Sequence, residues 1–348
     1  MRGRGINYDT GFFPGGRSSR TAFDTEVVRR EMRVIADELH CNAVRISGGD
    51  PERLSIAAEA AAAAGLEVWF APFPCELTLD EMLELFADCA RRAEAVRDGG
   101  AEVVFVTGCE VSLFSRGLIP GDTVYDRMAA LVSGDPAVYA AMADVPARMS
   151  AFLTDAVATV RANFGGRVSY ASGPWEDVDW SPFDIVGVDA YRAEENAGTY
   201  REEIRSRFAH GKPVAATEFG CCTYKGAADR GALGWAIVDR KAEPARLDGE
   251  YVRDEQEQVR YLREVLAVLE EEGVDSAFWF TFAGYELPHD SGDPLHDLDM
   301  ASYGVVKILP AGTGGGDGGG GSSGDGLGWE RKAVFGAMAA AYGQASIP

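Results

Sequence analysis

Basic charge is the scarcest resource in this chain of 348 residues: 33 Lys and Arg stand against 55 Asp and Glu, a formal charge of −22. Nucleic-acid backbones and anionic membranes need a basic surface, so neither is an expected partner. No apolar run approaches a membrane span, and the N-terminal "MRGRGINYDTGFF" has none of signal-peptide length, so a cytoplasmic location is expected. The six cysteines show no CxxC or CxH spacing of a zinc site. Cys41, Cys89 and Cys109 lie in or beside apolar runs and read as reduced core residues, and the adjacent Cys221 and Cys222 are expected as free thiols. No GxGxxG or GxxxxGK[ST] follows an apolar run, which removes the common phosphate-binding turns. No short self-similar repeat is present, which removes a solenoid.

What is present is an alternation of two kinds of segment. The short apolar ones are 5–9, 42–47, 66–73, 101–108, 167–172, 184–191, 212–219 and 276–284, and they read as parallel strands buried on both faces. Amphipathic stretches run between them. Three begin at Asp24, at Asp50–Pro51 and at Thr78, which are helix-start signals, and others are expected near 144–164, 198–209, 252–272 and 329–343. Eight strands alternating with helices predict an α/β fold, a (β/α)8 TIM barrel forming one domain over 1–348. An open doubly wound sheet is the rival. The Gly-rich 312–326 is expected as a flexible loop within that domain.

Loop lengths are uneven. Links from helix to strand are short, whereas those after strands 4, 7 and 8 are long, roughly 109–143, 220–251 and 285–328. In a barrel these all emerge at the C-terminal strand ends, where such folds place their sites. The link from strand 5 to strand 6, "GPWEDVDWSPF", leaves little room for a helix.

Ionisable residues gather at those same ends. Glu110 follows strand 4 in "VVFVTGCEVSLF", and Glu218 closes strand 7 in "KPVAATEFGCC". Asp189 and Tyr191 end strand 6, Asp9 ends strand 1, and Arg45 lies late in strand 2. Glu218 either caps a turn or is delivered to a site by an otherwise apolar strand. Two carboxyl groups facing each other across a barrel mouth suit glycoside hydrolysis, which needs a proton donor for the leaving oxygen and a second carboxylate as nucleophile or base.

With these residues the chain resembles the clan A retaining glycoside hydrolases, (β/α)8 barrels with a catalytic Glu at the ends of strands 4 and 7. The resemblance implies Glu110 as acid/base and Glu218 as nucleophile, acting by double displacement on a β-linked glycoside. It also implies Arg45 and Tyr191 as supports of the nucleophile, and Trp279 as an aromatic floor on strand 8, with Phe280 or Phe282 as alternatives. Cys109 stands where the clan usually has an Asn that binds the sugar 2-hydroxyl, and Cys lacks the amide's hydrogen-bonding pattern. The expected partner is an intracellular oligosaccharide or a small glycosylated metabolite, by hydrolysis or transglycosylation. No cofactor or metal is expected, and composition fixes no oligomeric state.

Other readings stay open. Trp175 and Tyr224 lie in the C-terminal-face loops and either stack on ligand or pack the loops. "ELPHDSGDPLHDLDM" carries His289, Asp290, Asp293, His296, Asp297 and Asp299, a cluster that metal binding or plain turn chemistry explains. The remaining histidines, His40 and His210, precede strands 2 and 7, at the opposite end of a barrel from its site. A non-hydrolytic barrel that binds a carbohydrate or small molecule, and a metal-dependent barrel enzyme, are the alternatives to a glycosidase.

Overall fold

A computed structural model describes residues 1–310 and 328–344, so the Gly-rich 312–326 lies outside the described residues. Eight parallel strands form one sheet: β1 (Gly3–Asp9), β2 (Ala43–Gly48), β3 (Glu67–Pro72), β4 (Val103–Cys109), β5 (Arg167–Ala171), β6 (Val186–Asp189), β7 (Val214–Phe219) and β8 (Ser276–Trp279). Their order is β5-β4-β3-β2-β1-β8-β7-β6. The two end strands meet through a single parallel bridge, Ser172 to Val188, which closes the ring. Gly187 permits that approach: a Cβ there would lie 2.1 Å from the Tyr170 carbonyl oxygen.

Alternation along each strand builds two cores. Trp69, Ala71, Val104, Val106, Ala215 and Phe278 fill the ring interior. Their neighbours Val68, Phe70, Phe105 and Ala216 join the layer between strands and helices. A period of two, buried on both faces, is what a barrel strand requires.

The surrounding helices are α1 (Thr25–Arg33, continued by a wider turn over Val34–Glu38), α2 (Pro51–Ala63), α3 (Leu79–Asp98), the short α4 (Val111–Phe114), α5 (Val124–Leu131), α6 (Pro136–Ala141), α7 (Val145–Arg161), α8 (Tyr200–Ser206), α9 (Glu255–Glu271) and α10 (Ala333–Gln344). Asp24 and Asp50 cap α1 and α2 with their carboxylates, and Thr78 forms a capping box with Glu81 at α3, so these helices begin where their caps predict. No helix lies between β5 and β6. Among the described residues no helix is long and apolar enough to cross a membrane.

The eighth strand is shorter than expected. The apolar run 276–284 reads as continuous, but β8 ends at Trp279 and a cis peptide joins Phe280 to Thr281. The Phe282 amide then donates to the Asn7 carbonyl, and the chain leaves the ring. It continues as β9 (Ala283–Pro288), which with β10 (Val306–Ile308) and β11 (Trp329–Arg331) makes a small separate sheet.

This outlying sheet is fastened to the barrel by a buried carboxylate. Glu31 of α1 is fully buried and accepts hydrogen bonds from Tyr8 Oη (2.5 Å), Tyr285 Oη (2.9 Å), Arg20 Nη2 (3.2 Å) and Trp329 Nε1 (3.1 Å). Arg20 lies over the Tyr285 ring, 3.8 Å from its centroid. One acid thus ties together β1, α1, β9 and β11. Nearby on the same side of the loops, Lys332 and Arg253 hold the buried Asp299 at 2.9 and 2.8 Å.

Candidate active site

The end of β7 delivers Glu218 into the barrel mouth. Arg45 Nη1 on β2 donates to Glu218 Oε1 at 2.7 Å, and Tyr191 Oη just beyond β6 donates to Oε2 at 3.0 Å. Both oxygens therefore accept, the pattern of an anion. Arg45 is 1% exposed, and Asn7 Oδ1 on β1 accepts a second bond from the same Nη1 at 2.8 Å. Asn7 Nδ2 in turn donates to the Thr217 carbonyl at 3.0 Å, tying β1 to β7 past the intervening β8. Burial opposes the charge on Arg45, but the acidic groups around it, with Glu218 directly bonded, more than restore it and raise its pKa.

The end of β4 places Glu110 by an unusual backbone. Gly108 has φ +89°, where a Cβ would lie 2.9 Å from Val111 Cγ2. Glu110 itself is left-handed, with φ 44° and ψ 48°. A residue with a Cβ is rarely placed there, and such positions concentrate at functional sites. The turn is held by backbone bonds: Glu110 N–H donates to Ala171 O (2.9 Å), and the Glu110 carbonyl accepts from Leu113 (2.9 Å) and Phe114 (3.0 Å). Burial pushes the Glu110 carboxyl well above the usual carboxylate range. The charges of Asp189, Glu218 and Glu176 push it further, against Arg45.

Beside Glu218 sit Cys109 and Asp189. Cys109 Sγ lies 3.5 Å from Asp189 Oδ2 and 3.6 Å from Glu218 Oε1, and Thr217 Oγ1 donates to Asp189 Oδ1 at 2.8 Å. Asp189 is raised well above its ordinary range by burial and then by the Glu218 charge. Burial, then Asp189 and Glu218, push the Cys109 thiol up, so it is held as S–H. One Sγ and a carboxylate oxygen from each acid all lie within 4.8 Å of one another, near enough to share a cation. Glu218 Oε1, however, already accepts from the Arg45 guanidinium, and an adjacent fixed cation works against a metal ion there.

Arg45, Cys109, Asp189, Tyr191 and Glu218 thus form one bonded cluster, and Glu110 shares its electrostatic field. The other expected residues lie elsewhere. Trp279 is fully buried on the helix side of β8, edge-on to Phe219 and Tyr261, with Nε1 donating to the Tyr303 carbonyl, so it floors no site. The pleat that turns Phe278 inward turns Trp279 outward. Phe282 is also buried, edge-on to Trp329. Phe280, half-buried just past β8, packs on Tyr303, whose ring also meets Tyr191. Tyr224 is a loop-packing residue: it is buried against Tyr251 and donates to the Gly234 carbonyl. Asp9 closes the turn after β1 by accepting from Gly11 N at 2.7 Å, and burial raises its pKa. Trp175 stays 42% exposed, its Nε1 donating to Ser112 Oγ at 3.1 Å.

In the acidic loop of the outlying sheet, Asp297 takes His289 and Arg253, and Asp293 takes His296. These are internal pairs of a structured turn. Cys221 and Cys222 are free and buried, with Cys222 Sγ donating to the Ala301 carbonyl. Sequence reasoning missed Asn7, Thr217 and Glu176. A polar residue inside the apolar "GINYD" was the one visible signal for Asn7; Glu176 sat unremarked in a loop.

Eight parallel strands closed into a ring with helices around them define a (β/α)8 barrel. Among solved structures, a GH113 β-1,4-mannanase superposes with a TM-score of 0.63 at 15% identity, covering 99% of this chain and 98% of that one. The GH113 β-mannanase AaManA from Alicyclobacillus acidocaldarius, solved in complex with ManMIm, gives 0.62 at 17% identity over 99% and 97%. A β-glucuronidase from Parabacteroides merdae gives 0.51 at 13% identity, with 34% of its length covered. At these identities the likeness establishes the shared fold. No protein-family model and no curated protein matches the sequence.

Proposed function

We propose that the protein is a retaining glycosidase acting on a β-linked glycoside, with Glu218 as nucleophile and Glu110 as acid/base. The observation that carries this reading is the opposed environment of the two acids. Glu218 accepts from Arg45 and Tyr191 through both oxygens, whereas Glu110 is half-buried, with its pKa pushed up by desolvation of its carboxyl and by the negative charge it faces. A Glu218 oxygen attacks the anomeric carbon. As that bond forms, the bond to the leaving oxygen breaks and Glu110 transfers its proton to that oxygen. Glu110, now a carboxylate, takes a proton from water or an acceptor hydroxyl, whose oxygen displaces Glu218 from the anomeric carbon. The substrate is an oligosaccharide or a small glycosylated metabolite. The solved mannanases of the same fold make β-mannosides the first compounds to assay.

Glu110→Ala tests the acid/base role. On an alkyl glycoside, whose leaving oxygen needs protonation, kcat/KM is expected to fall by about 10²–10⁴-fold. On a 2,4-dinitrophenyl glycoside bond cleavage is largely spared, and azide accelerates turnover by taking the place of base-activated water. Equal losses on both substrates, with no response to azide, would refute the assignment. The pH profile follows from the same direction of shift. Glu110 must be protonated to act, so kcat/KM on poor leaving groups falls as pH rises through its raised pKa.

The Cys109, Asp189 and Glu218 cluster supports a second reading, a metal-dependent barrel enzyme. Dialysis against a chelator separates the two. The glycosidase reading expects turnover unchanged, because Arg45 already serves the nucleophile; loss on chelation with recovery on adding Zn²⁺ or Mg²⁺ would replace it.

A further inference from the structure

Behind Glu110, outside the cluster described above, lies a second buried acid. Glu176 belongs to the connection between β5 and β6 and is 8% exposed. Its Oε1 accepts from Ser112 N (3.0 Å) and Ser112 Oγ (2.5 Å), and its Oε2 from Tyr170 Oη (2.7 Å) and Gly173 N (3.0 Å). Every donor is committed. Tyr170 Oη itself accepts from Val111 N at 2.8 Å, and Ser112 Oγ accepts from Trp175 Nε1 at 3.1 Å, so both hydroxyl protons point at Glu176. Burial raises the Glu176 pKa and these bonds pull it back, but four donors and no acceptor around one carboxyl group describe a carboxylate.

The residues so held are the two that follow Glu110. Val111 and Ser112 open α4, and their N–H groups are among those a helix start leaves without intrahelical partners. Tyr170 and Glu176 supply those partners from β5 and the loop after it. Glu110 therefore keeps its left-handed backbone because Ala171 O accepts from its own N–H and this network holds the next two residues.

We infer that Glu176 is the positioning residue for Glu110, fixing the turn from which the acid/base reaches the mouth and setting a negative charge behind it. The inference rests on the proposed roles of Glu110 and Glu218. Charged and titratable groups reach Glu110 from every side: Asp189 on β6, Glu218 on β7, Arg45 on β2, Cys109 on its own strand and Glu176 from the β5–β6 connection. Neither Asp189 nor Glu176 is used by a step of the proposed reaction, but only Glu176 also bonds the turn that carries Glu110. Its charge favours the protonated form of Glu110, which is the form the first step needs.

The test is Glu176→Gln against Glu176→Asp in the full chain, with two readouts. The first is the carbon-13 titration of the Glu110 carboxyl, assigned by its loss in Glu110→Gln. The second is the pH profile of kcat/KM on an alkyl β-glycoside. Removing the charge is expected to move the Glu110 titration and the basic limb down by roughly half a pH unit or more. With the turn loosened, kcat should fall by about tenfold or more while KM changes little. Glu176→Asp keeps the charge and is expected to restore the limb but not the full kcat. A Glu110 titration unmoved in folded Glu176→Gln would overturn the inference. Should that variant not fold, Ser112→Ala decides: wild-type kcat with an unchanged Glu110 resonance would equally overturn it. If the wild type turns over no glycoside, the proposed function fails, and the carbon-13 titration still decides the role of Glu176.

Discussion

Glu218→Gln is expected to lose at least about 10³-fold in kcat on every glycoside the wild type cleaves, with KM and thermal stability little changed. The amide fills the same space and its oxygen still accepts from Arg45, so the mouth stays built. What disappears is the attacking oxygen. The neighbouring Asp189 does not substitute: it is bonded to Thr217 and Cys109, and burial alone still biases it toward the neutral acid once the Glu218 charge is gone. An aryl glycoside panel with active-site titration measures this directly. Activity within tenfold of wild type would remove Glu218 as nucleophile and return the barrel to the non-hydrolytic or metal-dependent readings.

The largest expected loss of stability comes from a residue remote from that chemistry. Glu31→Ala strips four donors of their shared acceptor and leaves Arg20, 3% exposed, without its carboxylate. Breaking one side of a buried ion pair costs about 3–5 kcal/mol, because the remaining charge stays buried. The Tm is expected to fall by roughly 4–7 °C. Glu31→Gln keeps one acceptor oxygen and should fall between the two. Differential scanning calorimetry of the three proteins makes the comparison, and a Tm within 2 °C of wild type for Glu31→Ala would show that the network contributes little.

The barrel was legible because its strands are buried on both faces and so carry apolar runs, the first three of them followed by helices with recognisable caps. The site was legible where a charge ends such a run: Glu218, Asp189 and Arg45 each break an apolar strand. Legibility failed where a side chain's direction depends on register. The run around Trp279 names an aromatic strand, but only its pairing with β1 and β7 shows that Phe278 faces the ring and Trp279 faces α9. It failed again for residues acting through loops. Glu176 and Tyr170 become neighbours of Ser112 and Val111 only when β5 pairs with β4, and no spacing along the chain records that contact.

The partners of β1 lie at opposite ends of the synthetic timetable. Its pairing with β2 is available within the first fifty residues, whereas the other edge pairs with β8, Gly3 meeting Ser276, and Arg2 bonds Asp275 across a separation of 273 residues. Glu31 waits longer still, since Trp329 is among its donors. A chain leaving the ribosome therefore carries an open strand edge and an incompletely satisfied buried acid through most of its translation. Such an edge is a template for pairing with other chains, so growth temperature and translation rate should govern soluble yield more strongly than the finished barrel's stability.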